Sequence, residues 1–466
     1  MRMPMLLCLP SLLALAAAPL DETQRGLLGK GYRFNRAGWT YLHVEGPARA
    51  RGFQHGYLMV AEIQEGIRRT RAQWEHRSAL PWSWYVAQGD ALLTAKVDAE
   101  NLAEIDGIAE GMAAAGAASS RAELVAYNAR HELFFYWWPQ ELKKLKDHVP
   151  VRVPESCSAF IATGSWTADG GVVLGHNTMM GYEAGMPNVI LDLVPDRGQR
   201  ILMQGQAGWI HSGTDFWITS AGLVGAETTL SGFEGFDPAG LPEFSRMRRA
   251  SQDAASIDDW CRIMRTGNNG GYANAWLLGD IHSGEIARLE LGLKEVGFER
   301  TRDGFFTGSN VPEDRRLLRF ETSVKETDLR STDVARKVRW KQLMAKHKGR
   351  IDIGLAQRFE ADHFDAYAGR MRIGAWGLCA HPELDREAPL ATWEVPFDPS
   401  GTVDGKVVDR RMAQAMSFSA RWGAACGRPF DAVAFLARHP QFEWMTGLLS
   451  DRPSQPWSTF RAGDRK

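Results

Sequence analysis

From Glu155 to Thr178 the chain carries two short apolar runs, 157–162 and 172–174, on either side of a turn region rich in Gly, Thr, Ser and Asp. That pattern predicts a β-hairpin, and it fixes where the reactive side chains go. The first run opens with Cys157, and the second leads into Gly175-His176-Asn177-Thr178. Both groups sit at strand ends, where a rigid sheet holds side chains in a fixed relation. A cysteine that opens a strand in mid-chain suggests one device. Scission of the Ser156–Cys157 bond makes Cys157 a new N-terminus, with its thiol beside its own α-amine. An α-amine has a pKa of about 7.7–8, so part of it is neutral near neutrality and takes the thiol proton, the logic of an N-terminal Thr nucleophile. The plain alternative is a small buried core thiol, since free Cys is among the most buried residue types.

Upstream of the hairpin the periodicity is helical. Phe53, Tyr57, Val60, Ile63 and Ile67 recur at three- and four-residue intervals, as do Leu102, Ile105, Ile108 and Met112, which predicts amphipathic helices over 53–74 and 92–114. A third helix is expected over 121–146, its aromatic cluster Phe134–Trp138 forming core or pocket wall. Residues 21–50 read as mixed and turn-rich. Downstream, strands are expected at 189–194, 200–204, 216–220, 223–227, 273–279, 286–291 and 295–301, with helices at 242–264 and 332–346. Helices, then strands, then helices between strands make an α+β fold with helices covering a largely antiparallel sheet. Arg246, Arg248 and Arg249 read as a solvated helix face.

The ends and the balance of charge narrow the function. Arg2, an apolar stretch from Leu6 to Leu15 and the small residues Ala14–Ala18 read as an export signal cut after Ala16, so a periplasmic or secreted protein is expected. No later run reaches 18 apolar residues, so no membrane span is expected. A net charge of −1 over 466 residues, with no basic stripe, argues against nucleic acid as a partner. Cys379 and Cys426 are either one disulfide or two separate thiols, since sequence does not fix pairing. No CxxC pair suggests a zinc ribbon. His363 and His381 lie near Asp362 and Glu383 without a recognisable third ligand, so no metal and no organic cofactor is expected. His131-Glu132 begins like a zincin motif, but Phe135 stands where the second histidine belongs. A GxSxG elbow, a P-loop and a Rossmann fingerprint are absent from the sequence.

Two polar positions stand out in apolar strands. Asn274, between Ala273 and Ala275, needs a partner or a ligand, and its amide suits an oxyanion donor. Glu227 and Thr228 end the 223–227 strand. Asn310, before Val311-Pro312, is a weaker candidate of the same kind, since Asn ahead of a Pro often only forms a turn. His55 either serves a substrate pocket or packs at a helix start.

Cys157-Ser158-Ala159-Phe160 with Leu174-Gly175-His176-Asn177-Thr178 resembles the start of the catalytic chain in N-terminal nucleophile (Ntn) hydrolases. The resemblance is to the acyl-CoA:6-aminopenicillanic acid acyltransferase-like and phospholipase B-like branches. Arg51-Gly52-Phe53-Gln54-His55-Gly56, Ala221 through Thr229, Tyr272 through Trp276 and Asp404-Gly405-Lys406-Val407 are similar too. Arg336 and Arg339 echo an Arg-x-x-Arg of that kind, although as helix-surface charges they are unremarkable. The resemblance implies a four-layer αββα sandwich of two mainly antiparallel sheets. It implies a helical N-terminal chain (17–156) and a catalytic chain (157–466). With no internal repeat, low-complexity tract or long Pro/Gly linker in the sequence, one compact domain is expected, with residues after about 390 wrapping its side. The resemblance also implies autocleavage at Ser156–Cys157 and hydrolysis or acyl transfer on a linear amide, a small-molecule N-acyl or lipid-like substrate. Cys157, His176, Thr228 and Asn274 are then the catalytic candidates, and Asn177, Glu227 and His55 the substrate-binding ones. A phospholipase B-like lipid hydrolase and a non-catalytic ligand-binding protein on the same scaffold remain as alternatives.

Overall fold

The computed structural model describes residues 19–145 and 156–465; the expected export signal lies outside them. In chain order the strands are β1 (Tyr32–Arg36), β2 (Trp39–Gly46), β3 (Ser156–Thr163), β4 (Val173–Gly181), β5 (Val189–Pro195), β6 (Ile201–Gly205), β7 (Phe216–Thr219), β8 (Leu223–Thr229) and β9 (Asn274–Asp280). They continue with β10 (Glu285–Leu291), β11 (Val296–Thr301), β12 (Gly304–Gly308), β13 (Phe364–Asp365), β14 (Arg370–Met371), β15 (Ser400–Thr402), β16 (Asp404–Asp409), β17 (Ser417–Trp422) and β18 (Ser458–Arg461).

Two main sheets result. The larger runs β1-β2-β5-β6-β7-β8-β9-β10-β11, and the smaller β12-β3-β4-β16-β17-β18 with β15 also on β4. Every pair in them is antiparallel except β2 with β5. Alternation along the strands sorts the apolar side chains. Ala159, Ile161 and Leu174 share a core with Ile190, Leu202, Phe216, Ile218 and Val224 of the larger sheet. The opposite face of β3 sets Phe160 and Ala162 against Trp340, Leu343 and Phe359 of the helices Thr332–His347 and Ile353–Glu360. The outer face of the larger sheet, with Leu42, Leu191, Met203 and Trp217, meets helical residues such as Ile63, Ile105, Ile108 and Leu124. The molecule is therefore a mixed α+β structure with two main sheets and flanking helices.

The helices Ala48–Leu58 and Ala99–Ala114 cross unusually closely. A Cβ on Gly52 would stand 1.9 Å from the Glu104 carbonyl, and one on Gly107 2.2 Å from that of Arg49. The glycines of the Arg-Gly-Phe-Gln-His-Gly stretch thus allow backbone-to-backbone contact.

Four expectations need correction. Residues 17–156 are not wholly helical, since β1 and β2 fall in the stretch read as mixed, and β2 pairs in parallel with β5. Residues after 390 do not wrap the side: β15 to β18 are strands of the smaller sheet. Arg246 and Arg248 are buried rather than solvated. Arg248 and Arg51 converge on Glu104, at 3.1 and 2.9 Å, because a buried guanidinium needs a partner charge. Arg249 alone of that trio is exposed. Arg336 is not a surface charge either, being completely buried.

Candidate active site

The predicted hairpin forms with Cys157 opposite Thr178 and Ala159 opposite His176. The alternation that sends Ala159 and Ile161 between the sheets puts Cys157, His176 and Thr178 on that same face. The Cys157 backbone is held at both ends. Its N–H donates to Asn310 Oδ1 (3.2 Å), and its carbonyl accepts from the Arg336 guanidinium. Arg336 also donates to Asn310 Oδ1 and to Asp333 Oδ1, each at 2.8 Å, and Asn310 Nδ2 donates to the Thr229 carbonyl (2.6 Å). Asn310 has a φ of 69°, a left-handed conformation that Asn tolerates better than most residues.

Around the thiol stand two carboxyl groups. One donor atom each from Cys157, Asp215 and Glu227 lies within 4.8 Å of the other two, and all three residues are buried. The Tyr272 hydroxyl donates to Asp215 Oδ2 (2.6 Å) and lies 3.4 Å from Glu227 Oε2. Burial first, then the negative charge of Glu227 and Asp215, pushes the Cys157 thiol well above the usual range. Burial, then the neighbouring Asp215, likewise pushes Glu227 well above the carboxylate range, and burial raises Asp215. Two acids this close in a low dielectric do not both ionise easily, so the pair retains a proton that an open surface would lose.

The other sequence candidates separate. His176 Nε2 lies 2.9 Å from the Glu227 carbonyl. A carbonyl only accepts, so Nε2 carries the proton, and Nδ1 is left without a partner. Burial, then Lys406, depresses its pKa well below the ordinary value, so the ring is neutral. Thr228 points to the face opposite Glu227 and packs on Gly308, where an added Cβ would come within 2.5 Å of it. Asn274 opens β9 opposite Thr229; it is buried, and neither side-chain amide atom has a protein partner. Ser156 pairs with Met179 in β3. Two substrate-binding candidates go elsewhere. Asn177 faces the helices, donating to the carbonyls of Glu360 (2.7 Å) and Leu378 (3.0 Å), because its place on β4 alternates with His176. His55 accepts from the Gly208 N–H (2.9 Å) and so anchors the 206–215 loop that carries Asp215; burial lowers its pKa to about 4.

Four further residues belong here that sequence reasoning left without a role: Asp215, Tyr272, Arg336 and Lys406. Lys406 is paired opposite His176 and donates to Thr178 Oγ1 (2.6 Å) and Gln204 Oε1 (2.5 Å), with Asp404 at 2.8 Å. Asp404-Gly405-Lys406-Val407 and Tyr272 had been flagged by resemblance alone. Asp215 gives no periodic signal, since it precedes β7 with a φ of 62°.

Residues 33–288 match the family model described as phospholipase B, more than half of the chain. The chain belongs to the phospholipase B family. This phospholipase B family member is 28% identical over 159 residues to the phospholipase B-like 2 protein of Caenorhabditis elegans; the match covers 31% of the chain and 27% of that relative. The chain therefore spans about a quarter of the length of the curated relative it matches. Among solved structures, a mutant of the conjugated bile acid hydrolase from Clostridium perfringens is similar at 10% identity and a TM-score of 0.33, over 57% of this chain and 89% of that one. Penicillin V acylase from Agrobacterium tumefaciens is similar at 14% identity and a TM-score of 0.28, over 57% and 83%.

The carboxyl pair carries a pH signature. An acid whose pKa is raised by folding keeps its proton in the folded chain where the unfolded chain has released it. Stability then falls as pH rises from the ordinary value of 4.5 toward the raised one. Glu227→Gln, in a Cys157→Ala background, removes that loss. Its thermal midpoint is expected to exceed the parent's at about pH 8, with the gap closing below about pH 4. Equal midpoints at both pH values would show that Glu227 is not held protonated.

Proposed function

We propose that the protein is an exported, self-processing cysteine hydrolase of the Ntn type, with the four-layer αββα arrangement and two associated chains, 17–156 and 157–466. The observation that carries this reading is the buried Cys157 thiol, near the start of β3 between the sheets, against Asp215 and Glu227. In processing, the thiol attacks the Ser156 carbonyl carbon while one carboxylate of the pair takes its proton. The C–S bond forms, the C–N bond breaks, and the nitrogen leaves protonated as the Cys157 amine. Water then cleaves the thioester to free the Ser156 carboxylate. In turnover the amine takes the thiol proton, the sulfur attacks the substrate acyl carbon, and the bond to the leaving group breaks as the amine passes it that proton; water, deprotonated by the amine, then cleaves the thioester, releasing the acid and restoring the thiol.

The substrate read from these features is a linear N-acyl amide with an apolar acyl group. A cavity of about 770 Å³ is lined by Trp74, Phe134, Phe135, Trp138, Phe442 and Trp444. It includes Gly181, three residues along β4 from Thr178 and so about 10 Å from the partner of Cys157. The family description favours a second reading, a lipid acyl hydrolase. Matched panels of N-acyl and O-acyl lipids decide between them: preferential release of fatty acid from the amides supports the first reading, and from the esters the second. Intact mass with N-terminal sequencing tests processing itself; two fragments, the larger beginning at Cys157, are expected. A single uncut chain with an iodoacetamide-inert Cys157 would favour a non-catalytic scaffold.

Asn274 is assigned to the oxyanion because its amide is buried and has no protein partner. Asn274→Ala is expected to lower kcat by about 10²–10³-fold with little change in KM. A change in KM alone would make Asn274 a substrate-binding residue instead.

A further inference from the structure

Away from the thiol site, behind the outer face of β4, four side chains converge. One donor atom each from His363, Cys379, His381 and Cys426 lies within 4.8 Å of every other. Sequence reasoning found only the two histidines, with no third ligand, because it weighed Cys379 and Cys426 only as a disulfide or as two separate thiols. Cys379 stands two residues before His381, and Cys426 follows β17. Both thiols are free. His381 Nε2 lies 3.5 Å from Cys379 Sγ and 3.4 Å from Cys426 Sγ. Metal–ligand bonds of about 2.3 Å to sulfur and about 2.0–2.1 Å to nitrogen place tetrahedral N···S neighbours about 3.5 Å apart. His381 Nδ1 is tied to Glu383 Oε1 at 2.9 Å, which leaves Nε2 as the free lone pair, the carboxylate–histidine pairing common behind metal ligands. His363 Nε2 is buried and has no partner. The Arg428 N–H points at Cys426 Sγ (3.4 Å), a contact that suits a thiolate better than a thiol.

From this geometry we infer that His363, Cys379, His381 and Cys426 form a closed tetrahedral zinc site with a structural role. A Cys₂His₂ donor set with no vacant position is that of structural zinc. The ion would join three stretches: the segment after the helix Ile353–Glu360, the 379–381 segment and the turn after β17. The 379–381 stretch already braces the smaller sheet from behind. The Leu378 carbonyl accepts from Asn177, and the Ala380 carbonyl from the Thr402 N–H at 3.1 Å. A disulfide between Cys379 and Cys426 would leave both imidazole nitrogens converging on nothing.

The test uses the full chain purified without metal-affinity resin or chelator. Elemental analysis is expected to find about one zinc per chain, falling below about a tenth in Cys379→Ser and Cys426→Ser. Replacement of the ion by Co(II) in the wild-type chain should give thiolate-to-cobalt charge-transfer bands with tetrahedral d–d absorption, which decides the matter even where a variant fails to fold. Chelation should lower the thermal midpoint. Wild-type chain that takes up neither zinc nor cobalt, or an intact mass two hydrogens light with a Cys379–Cys426 crosslink, overturns the proposal. So does cobalt absorption that persists without both cysteines.

Discussion

Cys157→Ala is expected to leave one uncut polypeptide and to lower turnover by at least about 10³-fold, the scale seen when a covalent nucleophile is removed. Under the proposed mechanism the same sulfur makes the cut and forms the acyl intermediate, so both losses appear together. Alanine removes one small buried side chain and one weak contact, from the Met179 N–H to the sulfur, so the fold and its melting behaviour should persist. Cys157→Ser separates chemistry from packing. It keeps the volume and adds a weaker nucleophile, so slow scission over days with little turnover is expected. Denaturing gels and fatty-acid release read the two outcomes. Full turnover by Cys157→Ala would remove the thiol from the mechanism, and full turnover by an uncut wild-type chain would remove the scission and the α-amine base.

Arg336→Ala is expected to cost about 3–5 kcal/mol of stability, the range for stripping one partner from a buried ion pair. The guanidinium is completely buried and serves Asp333, Asn310 and the Cys157 carbonyl. Without it Asp333 loses its counter-charge and two oxygens lose a donor. The same change should slow processing, because it frees the carbonyl end of Cys157. Arg336→Lys should recover little of either, since an ammonium cannot offer a planar fork to three acceptors. Denaturant titration of the uncut Cys157→Ala background gives the stability term free of processing. A loss under about 1 kcal/mol would mean that water replaces the lost contacts.

What could be read from the chain was local. The hairpin at 156–178 shows in neighbouring residues, and so do the helices around Ile63 and Ile108, because each follows a short repeat. β2 escaped because its polar residues are buried with partners far along the chain; His43 meets Asp192 at 2.6 Å. β15 to β18 are short; β17 does carry an alternation, Phe418, Ala420 and Trp422, which went unread because its pairing with β16 and β18 is set by the sheet. Arg248 read as a surface charge because Glu104, its partner, lies 144 residues away; Arg336 has its counter-charge Asp333 three residues away, but the Cys157 carbonyl it also serves lies 179 residues away. Asp215 depends wholly on a loop that His55 anchors from a helix. Cys157 and Glu227 were recognisable as candidates; that they meet was not.

If the Ser156–Cys157 bond is cut as proposed, the parallel pairing of β2 with β5 has a consequence for the life of the protein after maturation. β2 lies before the Ser156–Cys157 bond and β5 after it, so the nine-stranded sheet is woven from both sides of the cut. An uncut chain assembles that sheet as a first-order process. Once severed, an unfolded molecule becomes two diffusing strangers, and regaining the sheet requires an encounter whose rate falls with dilution. The precursor should therefore renature in dilute solution where the mature protein does not, and the mature protein's lifetime should be governed by how slowly it opens.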